Sequence, residues 1–127
     1  MPAALIILCV VILIFFQRNE RDNAKGAIYA NLAYVLYQKL IPYQKGVGRT
    51  LLMEVLKVVD VASVHTHIDK GQYAQIESVM QTGARHKMIT LDQRLAQLVD
   101  ENHLTPDEAI KYARHPESMK QAMQKHQ

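Results

Sequence analysis

The sequence contains few cysteines, aromatic residues, glycines and prolines. Its 127 residues include a single cysteine, Cys9, which excludes an internal disulfide and a cysteine-rich zinc site. There is no tryptophan, and aromatic residues make up 6% of the chain, so a base-stacking platform for nucleic acid is not expected. Five glycines and four prolines are too few for a collagenous or low-complexity protein.

The remaining composition is typical of a globular chain. Hydrophobic residues make up 49% of it and charged residues 21%, which argues against a disordered tail. The length is enough for one compact domain and short for two ordinary ones. The net charge of +3 makes the chain mildly basic. This charge is compatible with binding to nucleic acid or anionic lipid but does not favour either. We therefore predict no nucleic-acid partner.

The first 16 residues are apolar, and a polar stretch follows them abruptly. A membrane-spanning helix needs about 20 apolar residues, so Met1–Phe16 is short of one. Three interpretations stay open. In the first interpretation, the segment is a short membrane anchor or uncleaved signal, with Arg18, Arg21 and Lys25 held in the cytoplasm. Alternatively it is a buried strand rich in β-branched residues, or a non-native start created where a reading frame was joined.

The next part of the chain predicts a helix followed by a β-hairpin. The helix is expected to end shortly before Pro42, because proline does not continue a helix. Gln38–Tyr43 and Thr50–Val55 can form two strands joined by a glycine-containing turn at Lys45–Gly48. The apolar stripe of the helix is formed by residues at helical spacing: Ala27, Ile28, Asn31, Leu32, Val35 and Leu36.

The remaining chain predicts short helices with clear starts. Thr90 and Gln93 have the spacing of a capping box, and Thr105 with Glu108 repeats it. A last polar segment from Pro116 is expected to fray. The fold class predicted is α+β and mostly helical, with one long helix, a β-hairpin and a C-terminal cluster of short helices. Its segments are residues 1–16, 17–59 and 60–127, the first apolar and the last helical.

A search for chemistry finds little in the residues themselves. Gly46 and Gly48 form a single G-x-G without the lysine of a phosphate-binding loop. His65 and His67 are two residues apart, so on a helix they point in different directions and do not share a metal. No Ser-His-Asp or paired-carboxylate spacing is visible. We predict no catalytic, cofactor-binding or metal-binding residue in this chain.

One region is more specific. Ser78–Gly83 reads SVMQTG, and Met88 leads into Thr90–Asp92, with Leu95 and Leu98 following at helical spacing. This pattern resembles the C-terminal region of PilT-type pilus retraction ATPases, and the resemblance extends in order over roughly residues 14 to 118. The residues that carry the family signature are Gly48, Arg49, Glu54, Gln81, Thr82, Gly83, Thr90, Leu91 and Asp92.

The resemblance weakens at the family's retraction motif, which is close to A-I-R-N-L-I-R-E. Only Val64 and Ile68 are well kept, and Asp69–Lys70 stands where the family has Arg-Glu, so the resemblance does not imply motor coupling by this motif. The matching segment is degenerate and consists of Ser63, Val64, His65, Thr66, His67, Ile68, Asp69 and Lys70.

The resemblance implies a C-terminal portion of a hexameric pilus or secretion ATPase, truncated or encoded by a split gene. The family binds ATP and Mg²⁺ through Walker motifs that would lie upstream, so this chain is expected to hold no cofactor and to hydrolyse no ATP alone. Expected partners are other ATPase subunits or an N-terminal ATPase fragment, and the pilus platform at the inner membrane. The expected location is the cytoplasm, at the inner membrane.

Two further expectations complete the interpretation. The hairpin would be the last part of a RecA-like domain, so the chain alone should be poorly stable and expose apolar surface. The alternative function is a small inner-membrane protein, anchored through Ala3–Phe16, that binds a pilus or secretion component.

Overall fold

The structure, a computed structural model, describes residues 21–43 and 47–124. The apolar segment at Met1–Phe16, with its three interpretations, lies outside the described residues. Within them, helices and two strands alternate with short connections, and a short 3₁₀ turn at Ala84–His86 precedes the fourth helix. In chain order the elements are α1 (Arg21–Asn31), β1 (Tyr34–Pro42), β2 (Arg49–Lys57), α2 (Ala62–Asp69), α3 (Tyr73–Gln81), α4 (Leu91–Asp100), α5 (Pro106–Tyr112) and α6 (Pro116–Gln124).

The described residues divide into two compact units. The first comprises residues 21–37 and 55–88, and in it α1 packs against α2, and α2 against α3. Its core is built by apolar residues that recur along each element, so burial of one face holds the helices together. The core residues are Tyr29, Val35, Leu56, Val58, Val61, Val64, Ile68, Ile76, Met80 and Met88.

The second unit comprises residues 38–43, 47–54 and 89–124, and in it α4, α5 and α6 pack pairwise. Leu95 and Leu98, spaced one turn apart on α4, are completely buried. The other buried apolar side chains of this unit are Ile41, Leu52, Leu91, Leu104, Ala109, Met119 and Met123.

The two strands form the predicted hairpin. The Val58 N–H donates to the Ala33 carbonyl at 2.8 Å, and at the turn the Tyr43 N–H donates to the Gly48 carbonyl at 3.3 Å. Gly48 has a φ of +129°, a conformation that side-chain-bearing residues avoid, which explains a glycine at the turn. Alternate residues of β2 are buried, as expected when one face of a hairpin packs on helices.

The long helix predicted as far as Leu36 is wrong, because α1 ends at Asn31 and β1 begins at Tyr34. Val35 is 8% exposed whereas its neighbour Leu36 is 55% exposed. These adjacent residues therefore point to opposite sides, the alternation of a strand, although both also fit a helical stripe. Aromatic and β-branched residues at 34–37 favour the strand.

The two predicted capping boxes are confirmed. At the start of α4, the Gln93 N–H donates to the Thr90 hydroxyl at 3.2 Å, and the Thr90 N–H donates to the Gln93 side chain at 3.0 Å. Thr105 and Glu108 make the same reciprocal pair at the start of α5. Both helices thus begin where side chains satisfy the free backbone donors.

We expect Thr105→Ala to lower the free energy of unfolding by about 1 kcal/mol, because it removes the acceptor for the Glu108 N–H. Thr66→Ala is the matched control, since the Thr66 hydroxyl donates to the Ala62 carbonyl within a helix and caps nothing. That control should change stability by about 0.5 kcal/mol or less. Urea titration of both variants measures the difference, and equal effects would contradict the capping role.

The end of the described chain differs from the prediction of a frayed segment. Pro116–Gln124 forms helix α6, in which Met119 and Met123 are buried at positions four residues apart. A mostly polar sequence thus still carries an apolar stripe that packs on α4 and α5.

No helix within residues 21–43 and 47–124 is both long and apolar enough to span a membrane. The division into 1–16, 17–59 and 60–127 stays a prediction.

Candidate functional site: a buried polar network

The signature residues fall into separate places in the structure. Glu54 on β2 and Thr90–Asp92 at the start of α4 belong to the second unit, where they lie close together. Gln81–Gly83 lies in the first unit, at the end of α3. Gly48 and Arg49 are exposed at the hairpin turn. The second-unit group is the one in which polar side chains converge in the interior.

Glu54 is the centre of this group. It occupies an inward position of β2 and is 1% exposed, although a carboxylate is rarely buried without partners. The Leu91 N–H donates to Glu54 Oε2 at 3.2 Å, so the carboxylate accepts from the first turn of α4. Arg114 supplies a fork of two bonds, from Nη1 to Oε2 at 2.8 Å and from Nη2 to Oε1 at 3.2 Å. Paired in this way, the buried charge is compensated.

Asp92 completes the network from the helix side. Its carboxylate accepts from the Arg114 N–H at 2.7 Å and from the His115 N–H at 3.0 Å. These two donors belong to the segment between α5 and α6, so Asp92 fixes that segment against the start of α4. Arg114 is thereby held twice, by its backbone at Asp92 and by its guanidinium at Glu54.

Sequence reasoning missed Arg114. It is separated from Glu54 by 60 residues, and it lies between two helices where no periodic pattern marks it. The sequence points to such a partner only indirectly. Glu54 lies at a buried position of a strand, and a buried carboxylate needs a cation or several hydrogen-bond donors. That argument asks for a partner but does not say which of the chain's basic residues provides it.

A groove in the first unit is lined by two of the other signature residues, Thr82 and Gly83. Its lining includes Ser63 at the start of α2, Thr82 and Gly83 after α3, and Arg85 with His86 on the 3₁₀ turn. Arg85 Nε lies 3.1 Å from His86 Nε2, and the Thr82 hydroxyl donates back to the carbonyl oxygen of Ser78. One residue of the degenerate motif, Ser63, thus lies on the same surface as Val79, Thr82 and Gly83 of the SVMQTG segment.

Burial explains which motif positions are kept. Val64 and Ile68 are 0% and 4% exposed on the inner side of α2, so the core requires them. Among the altered positions of the degenerate motif, Thr66, Asp69 and Lys70 are all exposed. Among the described residues, no three His, Cys, Asp or Glu side chains are grouped so as to hold a metal ion.

Comparison with known proteins gives a consistent result, although no family model matches the chain. A twitching motility protein of Neisseria gonorrhoeae is 32% identical over 104 residues, which cover 82% of this chain and 27% of that protein. The type IV pilus ATPase PilU of Pseudomonas aeruginosa is 28% identical over 99 residues, covering 78% of the chain and 25% of PilU.

The fold agrees with these sequence matches. A crystal structure of the pilus retraction motor PilT with bound ADP superposes with a TM-score of 0.70, over 91% of this chain and 31% of that one, at 23% identity. The chain belongs to the family of PilT-type type IV pilus ATPases. It spans about a quarter of the length of the curated relatives it matches (27% and 25%). The buried network therefore lies in the part of this family that the chain matches.

Proposed function

We propose that this chain is a C-terminal fragment of a hexameric ATPase that powers type IV pilus retraction and twitching motility, or related secretion. The observation that carries the proposal is the 104-residue match to a twitching motility protein. The retained fold supports it, because the hairpin and helices superpose on a pilus retraction motor.

The fragment is proposed to lack ATPase activity on its own. Phosphoryl transfer in such motors depends on a P-loop lysine and on Mg²⁺ ligands. The G-x-G at Gly46–Gly48 is followed by Arg49 rather than by a P-loop lysine, and the sequence contains no G-x-x-x-x-G-K-[ST] pattern. ATP and Mg²⁺ would be bound by a nucleotide-binding part of the motor that these 127 residues do not contain.

The partners proposed are that nucleotide-binding part, other ATPase subunits and the pilus platform, at the cytoplasmic side of the inner membrane. Support for a covering partner comes from the outward side of the hairpin. Leu40 and Leu51 are 58% and 38% exposed, and each lies three residues from the Tyr43–Gly48 pair, so they face each other across the strands. Exposed apolar pairs of this kind favour a protein contact.

We expect Leu40→Thr with Leu51→Thr to weaken binding to the nucleotide-binding part of a PilT-type ATPase at least tenfold while leaving the fold intact. The change removes exposed apolar side chains and keeps two good strand formers. A pull-down with the purified nucleotide-binding part measures it. The control pair is Gln38→Thr with Lys57→Thr, which alters exposed or half-buried polar positions of the same strands. Equal binding by both pairs would contradict a contact through the leucines.

A second candidate follows from the apolar segment Ala3–Phe16, which favours an inner-membrane-anchored protein that binds a pilus or secretion component. Carbonate extraction of membranes separates the two candidates. Release of the chain into the supernatant removes the anchored candidate, whereas retention in the pellet favours it.

A further inference from the structure

Three elements of the second unit meet at one side chain. Glu54 Oε2 lies 2.8 Å from Arg114 Nη1 and 3.2 Å from the Leu91 nitrogen. Strand β2, the start of α4 and the segment before α6 therefore share a single buried carboxylate. Separating any one of them from the others breaks a charge-assisted hydrogen bond in the interior.

The same segment is tied to α4 a second time. The Asp92 carboxylate accepts the backbone N–H groups of Arg114 and His115 at 2.7 and 3.0 Å. Because these donors are backbone groups, their positions are fixed by the chain rather than by a flexible side chain. Asp92 thus fixes the backbone of Arg114 while the guanidinium of Arg114 binds Glu54. Movement of β2 therefore pulls on the segment that Asp92 holds against α4.

We propose that the Glu54–Arg114–Asp92 network makes the turn half of the hairpin and helices α4–α6 a single cooperative unit, so that displacement of β2 is passed on to the helices. An apolar contact is not directional, so by itself it specifies the relative position of two elements less strictly. A two-bonded arginine–carboxylate pair needs one relative position and leaves a costly buried charge in any other. The use of this coupling in a motor rests on the proposed function, whereas the coupling itself does not.

Hydrogen exchange on the full chain tests the coupling. In the unchanged protein, the amides of Thr50, Leu52 and Glu54, which face β1, and those of α4 should exchange through one opening, with equal protection and equal dependence on urea. The variant is Glu54→Gln with Arg114→Met. It removes both charges, and glutamine retains an acceptor for the Leu91 N–H. In this variant, the strand amides should exchange at least tenfold faster relative to those of α4 than in the unchanged protein.

Two further variants sharpen the experiment. Arg94→Met removes the exposed pair with Glu101 on α4 and should leave the two sets of amides exchanging together. Arg114→Lys keeps the charge without the fork, and it should separate the two sets by a smaller factor, which also serves if the double variant does not fold. Joint exchange in every folded variant would overturn the proposal. Separated exchange in the network variants, together with failure of the unchanged protein to bind the nucleotide-binding part, supports the coupling and contradicts the proposed function.

Discussion

Replacing Arg114 with methionine is expected to lower the free energy of unfolding by about 3–5 kcal/mol, since it leaves the buried Glu54 carboxylate without its cation. The Arg114 side chain is 18% exposed but Glu54 only 1%, so the carboxylate that loses its two hydrogen bonds is the buried partner, whereas in an exposed pair water solvates both charges. A loss of this size is a large part of the total stability of a small domain. Urea unfolding of the full chain, followed by circular dichroism, measures it.

The matched control for Arg114→Met is Arg94→Met. Arg94 pairs with Glu101 at 3.0 Å, but the two side chains are 22% and 43% exposed, so water screens the pair. The control should lose about 1 kcal/mol or less. Adding Glu54→Gln to Arg114→Met should recover part of the loss, because the uncompensated charge is then gone. If Arg114→Met and Arg94→Met cost the same, the buried network does not stabilise the fold.

The second large effect is expected at Gly83, the last residue of the SVMQTG segment. A Cβ added there would meet the Met88 side chain, with its Cβ at 3.0 Å, and the Val79 carbonyl oxygen at 3.0 Å. Gly83 has an ordinary φ of −88°, so lack of space rather than backbone strain requires glycine. We expect Gly83→Ala to lower the free energy of unfolding by about 1–3 kcal/mol, the usual cost of overpacking.

Gly26→Ala provides the opposite expectation with the same chemical change. Gly26 lies inside α1, and nothing comes within 4 Å of a Cβ placed on it. The substitution should raise stability by about 0.5–1 kcal/mol, because alanine favours a helix interior. Thermal unfolding of the two variants side by side gives the comparison. A Gly83→Ala protein as stable as the unchanged chain would show that the Met88 and Val79 contacts give way freely.

Much of the fold could be predicted because its signals are local. The capping boxes at Thr90 and Thr105 each need only four consecutive residues, and the hairpin turn is marked by glycine. The end of α1 was not predictable from periodicity, since Val35 and Leu36 fit both a helix stripe and a strand. The contact of Val35 with the first unit's core decides between them, and that contact is not local.

The candidate site was predictable only in part. Family resemblance singled out Glu54 and Thr90–Asp92, but not what they do together. Their joint partner, Arg114, is 60 residues from Glu54 and 22 from Asp92 in sequence, and it lies outside any helix or strand. A contact at such separation depends on the whole fold, so only the three-dimensional arrangement reveals it. The same holds for the groove that brings Ser63 near Thr82.

ATP hydrolysis by reconstituted proteins tests the central claim, that this chain completes a pilus motor whose nucleotide site lies elsewhere. The rate is measured for the chain alone, for the purified nucleotide-binding part of a PilT-type ATPase, and for their mixture. The account predicts no hydrolysis by the chain alone and a higher rate in the mixture than for the nucleotide-binding part alone. Hydrolysis by the chain alone, or an unchanged rate with the chain in excess, would contradict it.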